Sequence, residues 1–369
     1  MSQWYDELNK KVYIHTVLWL LAAGSTLLLA AKGVPYSAFV EAWYSRGVFQ
    51  GVRWLADHTM GRLPIAGFYI FWAVVAGWWI LQIKRRPRLL HRRSRMAFWL
   101  LNLVRFACLI LVLFYWLWGF NYHRVPVAEQ LGLQRMPLDT AILWKELRDE
   151  TVFADALRKR ITGSDTTALS DHAHWPLQAE DTIRAAVENW LQNNHYPVSG
   201  RVRGRFLRPP GILRVMGTAG IYWPFVGEGN VDSGMHPLEQ LPDMAHEMAH
   251  GYGFGDEGIC NFIAYAACRQ HTHPYVAYAA CLSYWRIVAS NCLQSDPERY
   301  NSTFRPCMPT GMRRDLNSIY KQNARFREWM PRLRYQVYDH YLKTQGIASG
   351  MLNYDEVIVL VRALKEKEQ

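Results

Sequence analysis

The chain has 369 residues, half of them hydrophobic, and a formal net charge of +11 at pH 7. This length suits a membrane anchor with one catalytic domain, or two compact soluble domains. Much of the basic excess lies in one run, Lys84 to Arg95, between two apolar stretches. Such a run is a membrane-topology signal, and without a recognition motif we expect no nucleic-acid partner. No two of the six cysteines form a CxxC pair, which argues against a zinc ribbon.

Three stretches in the first third are apolar over about 20 residues, the length that a helix needs to cross a bilayer. They run from about Val12 to Ala31, from Leu63 to Ile83 and from Met96 to Phe120. The sequence therefore predicts a three-helix transmembrane anchor over residues 1–120, with the lipid bilayer as its partner. Residues 37–55 form an amphipathic pattern that predicts a helix on the outer membrane surface. Its expected apolar anchors are Phe39, Trp43, Val48 and Trp54.

Lysine and arginine counts in the short loops predict the orientation, because positively charged loops stay in the cytoplasm. The loop from Lys84 to Arg95 holds seven of these residues, whereas the segment between the first two spans holds four. We therefore expect a multi-pass protein of the bacterial inner membrane. Its N-terminus is predicted to lie in the cytoplasm and residues 121–369 in the periplasm.

The remainder has the mixed composition of a soluble domain, for which the sequence predicts a mainly α, α+β fold with a small β-sheet. Expected helices are Pro137 to Ile161, Glu180 to Asn193, Pro242 to Ala266, Val276 to Cys292, Asp315 to Trp329, Leu333 to Gln345 and Tyr354 to Lys367. Strand signals gather between Arg201 and Val226. There the alternating Arg201, Arg203, Arg205 and Arg208 predict an edge that faces solvent or lipid headgroups.

The stretch DMAHEMAHGYGFGDEGICNF, residues 243–262, contains an HExxH motif formed by His246, Glu247 and His250. Residues four apart share a helix face, so both imidazoles can bind one zinc ion while Glu247 serves as general base. Two imidazoles and one carboxylate leave a fourth position for water, whose pKa the metal lowers to about 7. The motif arises by chance in roughly one or two chains of this length per hundred, so its surroundings matter.

Pro242 is placed where the motif's helix would begin, and glycines from Gly251 onward would end it, letting an acid return to the metal. Two acids fit. Asp256 completes HExxHxxGxxD, the metzincin pattern. Glu257, with Asn261 one turn later, resembles the gluzincin arrangement, in which a glutamate binds zinc and its neighbour orients a histidine. We favour Glu257, with Asp256 as a helix cap and as the alternative third ligand.

Several longer segments carry a family resemblance: FVEAWYSRGVF, GIYWPFVGEGNVD, HEMAHGYGF, GDEGICNFIAY and YDHYLKTQGIASG. Together they resemble an uncharacterised bacterial family of membrane-anchored HExxH zinc metallopeptidases, known by a domain-of-unknown-function label. The resemblance covers nearly the whole chain and implies a zincin-like domain with gluzincin-like ligands, His246, His250 and Glu257, and a supporting Asn261. One departure is Ile259, where the family usually has a second acid.

Other candidates lie around the motif. The strand from Gly220 to Val226 is either an edge that pairs with an extended substrate or a buried strand. Candidates to stabilise the oxyanion are Tyr265, His271, His273, Tyr284 and Tyr338.

The sequence thus predicts a peptidase with one Zn²⁺ per chain that acts on peptide or protein substrates at the extracytoplasmic face. One alternative keeps the zinc but makes the enzyme an amidase on a cell-wall or other small amide. The other alternative is a membrane scaffold without catalysis.

Overall fold

The computed structural model describes residues 2–33, 36–85, 92–347, 350 and 356–368. Its first helices are α1 (Ser2–Gly33), α2 (Phe49–His58), α3 (Gly67–Arg85) and α4 (Arg92–Leu117). Three stretches within α1, α3 and α4 are long and apolar enough to cross a membrane: Val12–Ala31, Gly67–Lys84 and Arg95–Leu117. Three apolar N-terminal helices that fit a membrane anchor are therefore confirmed.

The bounds of two spans differ from the prediction. The second begins at Gly67 and not at Leu63, because Leu63 is extended before Pro64, and a residue before proline is pushed out of the helical region. The third ends at Leu117, and a 3₁₀ turn, Gly119–His123, follows. Residues 86–91 of the predicted basic loop lie outside the described residues.

The predicted amphipathic segment is helical throughout, as Ser37–Phe39, the π-helical Val40–Val48 and then α2. Its predicted apolar anchors are exposed: Phe39 60%, Trp43 66%, Val48 46% and Trp54 55%. Tyr44, Phe49 and Arg53 on other faces of these turns are buried. The segment therefore presents an unpartnered apolar face beside the spans.

The rest of the chain is mostly helical with one small sheet, which confirms the predicted fold class. The helices are α5 (Thr140–Thr162), α6 (Ala179–Asn193), α7 (Pro237–Gly251), α8 (Glu257–Cys268), α9 (Pro274–Ser295), α10 (Thr310–Asn323), α11 (Pro331–Thr344) and α12 (Glu356–Glu368). The strands are β1 (Arg203–Leu207), β2 (Gly220–Trp223) and β3 (Glu228–Asp232). Short helical turns are Met60–Arg62, Val127–Gln130, Arg214–Met216, Pro297–Arg299, Tyr300–Phe304 and Arg305–Cys307.

Several predicted helix bounds were wrong, and two of them have a clear physical reason. Helix α7 begins at Pro237, which suits a first helical position, after the cap residue His236, so Pro242 lies inside the helix. Helix α10 ends at Asn323 and not at Trp329, because the following segment turns away to pair Trp329 N–H with the Val215 carbonyl. The start of the predicted last helix, residues 354–355, lies outside the described residues.

The three strands are ordered β1-β3-β2, with β3 parallel to β1 and antiparallel to β2. Helix α7 packs closely on this sheet because each strand presents a glycine to it. A Cβ on Gly229 would lie 2.7 Å from the Cβ of Glu247, and one on Gly204 would lie 2.8 Å from Met248 Cε. A Cβ on Gly220 would overlap the Glu247 carboxylate. The glycines therefore let Glu247 lie directly against the sheet.

The prediction of an exposed basic edge was wrong for Arg203 and Arg205. Arg203 Nε donates to Glu180 at 2.5 Å, and Arg205 Nε donates to Glu228 at 3.0 Å. Both guanidinium groups also bond carbonyls of the 61–63 connection. They are only 26% and 10% exposed because β1 lies under that connection, whereas Arg201 is 65% exposed.

The apolar helices and the rest of the chain are packed together. Gly67 N–H, at the start of α3, donates to Glu228 Oε2 at 2.8 Å, and Arg53 Nη1 donates to the Gly227 carbonyl at 2.7 Å. The Phe71 ring of α3 stacks on Phe225 at 4.8 Å, beyond the end of β2. The β2–β3 hairpin is thus fixed to the end of the second span.

A buried polar cluster joins α5, α8, α9 and α12. Lys365 Nζ lies 2.6 Å from both Glu146 Oε1 and Glu150 Oε1. Tyr265 donates to Glu150 at 2.7 Å, and Tyr284 donates to Glu146 at 2.9 Å. Each of the two glutamates accepts hydrogen bonds from Lys365 and from a tyrosine, so the cluster ties α8 to α5, α9 and α12.

We expect Lys365→Met to lower the free energy of unfolding by about 3–5 kcal/mol, because two buried carboxylates lose their cation. Thermal or denaturant unfolding of the purified protein in detergent measures this change. The matched control is Lys145→Met, since Lys145 is 75% exposed and lies 3.8 Å from Asp149. The control should change stability by less than about 0.5 kcal/mol. Equal effects of the two variants would contradict a structural role for the cluster.

Candidate metal centre

Helix α7 and the turn after it bring the motif together. His246, Glu247 and His250 lie on the last turns of α7, which ends at Gly251. Gly253 has a φ of +91°, a conformation that glycine adopts without strain, and it turns the chain back toward α7. Glu257 is then the first residue of α8 and faces both histidines.

Three ligand atoms meet at one point. His246 Nε2 lies 3.1 Å from His250 Nε2 and 3.1 Å from Glu257 Oε2, and His250 Nε2 lies 3.4 Å from the same oxygen. Ligands held about 2.0–2.1 Å from a tetrahedral zinc ion are about 3.3–3.4 Å apart. The observed spacing therefore fits a metal ion with little movement of the side chains.

The other ring nitrogens decide which atoms face the centre. His250 Nδ1 lies 2.7 Å from the Phe254 carbonyl, which can only accept, so Nδ1 carries the proton. His246 Nδ1 lies 2.8 Å from Asn261 Oδ1, and with the amide oxygen facing the ring it is the donor too. In the neutral rings, both Nε2 atoms then present lone pairs beside a carboxylate oxygen. Three acceptors in contact repel one another unless a metal cation or a proton lies between them.

Glu257 is held from its other side as well. Tyr338 of α11 donates to Glu257 Oε1 at 2.6 Å, which leaves Oε2 to face the histidines. Burial raises the pKa of Glu257, but the positive charge and hydrogen bonds of His250 and His246, when these rings are protonated, outweigh it and hold that pKa well below its usual range. The carboxylate is therefore charged and oriented.

Asp256 has a different place from Glu257. Its carboxylate accepts from the Ile259 N–H at 2.9 Å and caps the N-terminus of α8. The set of groups close enough to hold one metal ion is His246, His250 and Glu257, within the part of the chain that is described. Of the two acids that fit the motif, the fold brings Glu257 to the histidines.

Glu247 lies beside this centre and is 5% exposed. The Tyr222 N–H of β2 donates to its carboxylate, whereas Oε2 has no hydrogen-bond partner among the described residues. Burial raises the pKa of Glu247 to about 8. A divalent cation at the neighbouring centre would lower this value, because opposite charge favours the carboxylate. The free oxygen can accept a proton from a water molecule in the cavity.

The centre opens into a cavity of about 710 Å³. One wall is β2 with its flanking turns, residues 217–225, which form an edge of the sheet. Another wall is α11, including Tyr338 and Tyr341, and a third is the end of the third span with Phe114 and Trp118. Trp118 Nε1 also donates to the His250 carbonyl at 2.7 Å. The end of the span thus helps to position the centre.

Among the proposed oxyanion groups, Tyr338 lines the cavity and the others do not. Tyr265 and Tyr284 were expected near the reacting carbonyl, but their hydroxyls donate to Glu150 and Glu146 in the buried cluster. His271 and His273 lie in the turn before α9, where the His273 N–H bonds His271 Nδ1. Tyr265 points away from the cavity because it lies on a later turn of α8, whereas the first turn of α8 faces the cavity. Tyr284 lies on α9 and points into the same buried cluster as Tyr265.

The cavity residues that were not predicted individually include Trp118, Tyr222 and Asp243. Trp118 and Tyr222 come from the distant third span and β2, so no local pattern links them to the motif. Asp243 lies one turn before His246 on α7, and burial raises its pKa to about 7. The spacing of three residues along the helix could have identified Asp243 from the sequence.

Comparison with known proteins gives the family but no characterised relative. No curated protein and no solved structure matches the chain. Residues 44–362 match the model of a family described as "Protein of unknown function (DUF3810)". That range takes in part of the amphipathic segment, two of the three apolar spans, the sheet and the metal centre. The chain therefore belongs to the DUF3810 family.

Proposed function

We propose that this protein is a membrane-anchored zinc peptidase that hydrolyses peptide bonds at the extracytoplasmic face of the membrane. The observation that carries the proposal is the convergence of His246 Nε2, His250 Nε2 and Glu257 Oε2 at 3.1–3.4 Å beside the unpartnered Glu247 Oε2. Two imidazoles and one carboxylate are the ligand set of catalytic zinc, which keeps a fourth position open.

A zinc ion bound there supplies a Lewis acid and lowers the pKa of the attacking water to about 7. Glu247 accepts the proton of that water through Oε2 and then delivers it to the leaving amine. The Tyr222 N–H holds the other carboxylate oxygen, so the base stays aimed at the cavity. Asn261 and the Phe254 carbonyl keep both imidazoles in the tautomer that presents Nε2.

The free edge of β2 supports a peptide substrate. Strand β2 pairs with β3 on one side only, and its other side faces the cavity. An extended chain can add to such an edge through main-chain hydrogen bonds, which are independent of sequence. This open edge favours a peptide over the small amide of the amidase alternative, for which a closed polar pocket would be expected.

The buried base argues against a scaffold without catalysis. Glu247 is 5% exposed, and its Oε2 has no hydrogen-bond partner among the described residues, an arrangement that costs stability. Such costs are typical of groups retained for chemistry.

The orientation of the site is part of the proposal. The cavity is lined by Trp118, just past the third span, and by Phe225, which stacks on Phe71 near the start of the second span. Both contacts lie at the ends of the spans away from the basic loop 84–95. Because basic loops stay in the cytoplasm, the cavity belongs on the extracytoplasmic side.

Zinc content tests the ligand set. We expect about one zinc per chain in the purified full-length protein, and loss of that zinc in Glu257→Ala. Asp256→Ala should keep the metal, while loss of the helix cap costs about 1 kcal/mol. Metal analysis by mass spectrometry measures both. A folded wild type without zinc would sink the proposal, and zinc loss only in Asp256→Ala would transfer the third ligand to that residue.

Glu247→Gln tests the base. We expect hydrolysis of a peptide mixture to fall at least about a hundredfold, because an amide cannot accept the water proton, while zinc content is unchanged. Product analysis by mass spectrometry measures the rate. The exposed Glu298→Gln is the matched control and should hydrolyse at the wild-type rate. Wild-type activity in Glu247→Gln would exclude this mechanism.

Tyr338→Phe tests the support of the third ligand. The variant loses the 2.6 Å hydrogen bond to Glu257 Oε1, so we expect zinc affinity to fall about 10- to 100-fold. Competition with a chromophoric chelator measures the affinity. Tyr335→Phe, on the same helix and 48% exposed, is the control. Equal affinities in the two variants would show that the hydroxyl does not support the ligand.

A further inference from the structure

A second cavity adjoins the one at the metal centre. Its volume is about 760 Å³, and it shares Phe114, Phe225 and Tyr341 with the first cavity. These three aromatic residues come from the end of the third span, the β2–β3 hairpin and α11. The two cavities therefore share one aromatic boundary at the end of the third candidate span.

The walls of this second cavity, which we call the lateral cavity, are formed largely by two of the candidate membrane spans. On one side they are Leu27, Ala30 and Ala31 of α1, and on the other Ala107, Ile110, Leu111, Phe114 and Tyr115 of α4. All eight lie inside the candidate spans, so in a bilayer hydrocarbon would surround them. Leu27 is 44% exposed, and Ala107 is exposed as well. A bilayer lipid chain can therefore enter sideways.

The upper end of the lateral cavity is polar. It is lined by His123, Lys343, Thr344 and Gln345, which lie beyond the third span or at the end of α11. Lys343 bonds Asp339 at 2.7 Å, and Gln345 accepts from Tyr115 at 3.2 Å. An apolar cleft with a polar end matches an acyl chain with its linkage group uppermost.

His123 is the polar group that lacks a partner. It is 7% exposed, and neither ring nitrogen has a hydrogen-bond partner among the described residues. Burial lowers the pKa of His123, so the ring is neutral near pH 7 and offers one donor and one acceptor. A buried polar group without a partner is costly, which points to a ligand carbonyl at this position.

The volume of the lateral cavity distinguishes between an acyl chain and a transmembrane helix as its occupant. A helix about 10 Å across occupies roughly 400 Å³ per turn, so the lateral cavity has room for fewer than two turns. A spanning helix of about 20 residues has more than five turns. A single acyl chain is much thinner and fits between α1 and α4.

We propose that the substrates are peptides that carry an acyl chain at the outer face of the membrane. The chain lies in the lateral cavity, and its ester or amide carbonyl accepts a hydrogen bond from His123. The attached peptide crosses the boundary at Phe114 and Tyr341 to reach the β2 edge and Glu247. This inference rests on the proposed peptidase function, because it names the substrate of the same site.

Photolabelling tests the cavity without hydrolysis. The probe is a palmitoylated peptide with a diazirine in the acyl chain, added to full-length Glu247→Gln protein in lipid nanodiscs. We expect labels on residues 27–31 and 107–115, reduced about tenfold when Ala107→Trp is added, because the indole fills the cavity. Ala97→Trp, also exposed on α4 but outside the cavity, should leave labelling unchanged. His123→Phe should weaken labelling as well, through loss of the carbonyl bond.

Kinetics tests the use of the cavity in the proposed reaction. With a peptide mixture in palmitoylated and acetylated forms, we expect wild-type kcat/KM to be at least about tenfold higher for the palmitoylated form. Ala107→Trp should lower that ratio toward one, whereas Ala97→Trp should keep it.

The outcomes separate the two proposals. Equal labelling in Ala107→Trp and Ala97→Trp would overturn the lateral cavity as an acyl site. Displacement of the probe by a single-span helical peptide, but not by an unlabelled palmitoylated peptide, would overturn it in favour of a transmembrane occupant. The expected labelling, with hydrolysis unaffected by Glu247→Gln, would remove the peptidase function and leave the acyl site standing.

Discussion

When both imidazoles are neutral, the lone pairs of His246 Nε2, His250 Nε2 and Glu257 Oε2 face one another within 3.4 Å. This arrangement is unfavourable by itself, and the surrounding structure enforces it. Asn261 and the Phe254 carbonyl fix the imidazoles, and Tyr338 fixes the carboxylate. A divalent cation converts the repulsion into attraction, which is the physical basis of the proposed zinc centre.

The apolar helices also position this centre through direct contacts. Trp118, just past the third span, donates to the carbonyl of His250, and Gly67, at the start of the second, donates to Glu228 on β3. The β2–β3 hairpin that faces Glu247 is stacked through Phe225 on Phe71. Helix α7 and the free strand edge are therefore held at the ends of the candidate spans. A fragment without residues 1–120 would lose each of these contacts.

The candidate metal centre therefore lies next to the candidate membrane spans. The buried Glu247 lies in a cavity that shares Phe114 and Tyr341 with a cleft between α1 and α4. An acyl chain in that cleft would gain no hydrophobic free energy relative to a bilayer, because both media are apolar. The role that we propose for the cleft is to orient the chain, since orientation of a substrate relative to a base is a large part of catalysis.

The sequence by itself determined the features that depend on local pattern. Hydropathy located the spans, and helical spacing placed His246, Glu247 and His250 on one face and Glu257 with Asn261 on the next helix. Only the tertiary structure decided the rest. In the folded chain, β2 is an edge strand that faces the cavity, and Arg203 and Arg205 pair with acids. The hydroxyls of Tyr265 and Tyr284 donate to the buried cluster, whereas the hydroxyl of Tyr338 donates to Glu257. The reason is that the partner of a side chain depends on how segments distant in sequence pack together. Helices and membrane spans, in contrast, are indicated by residues that are close in sequence.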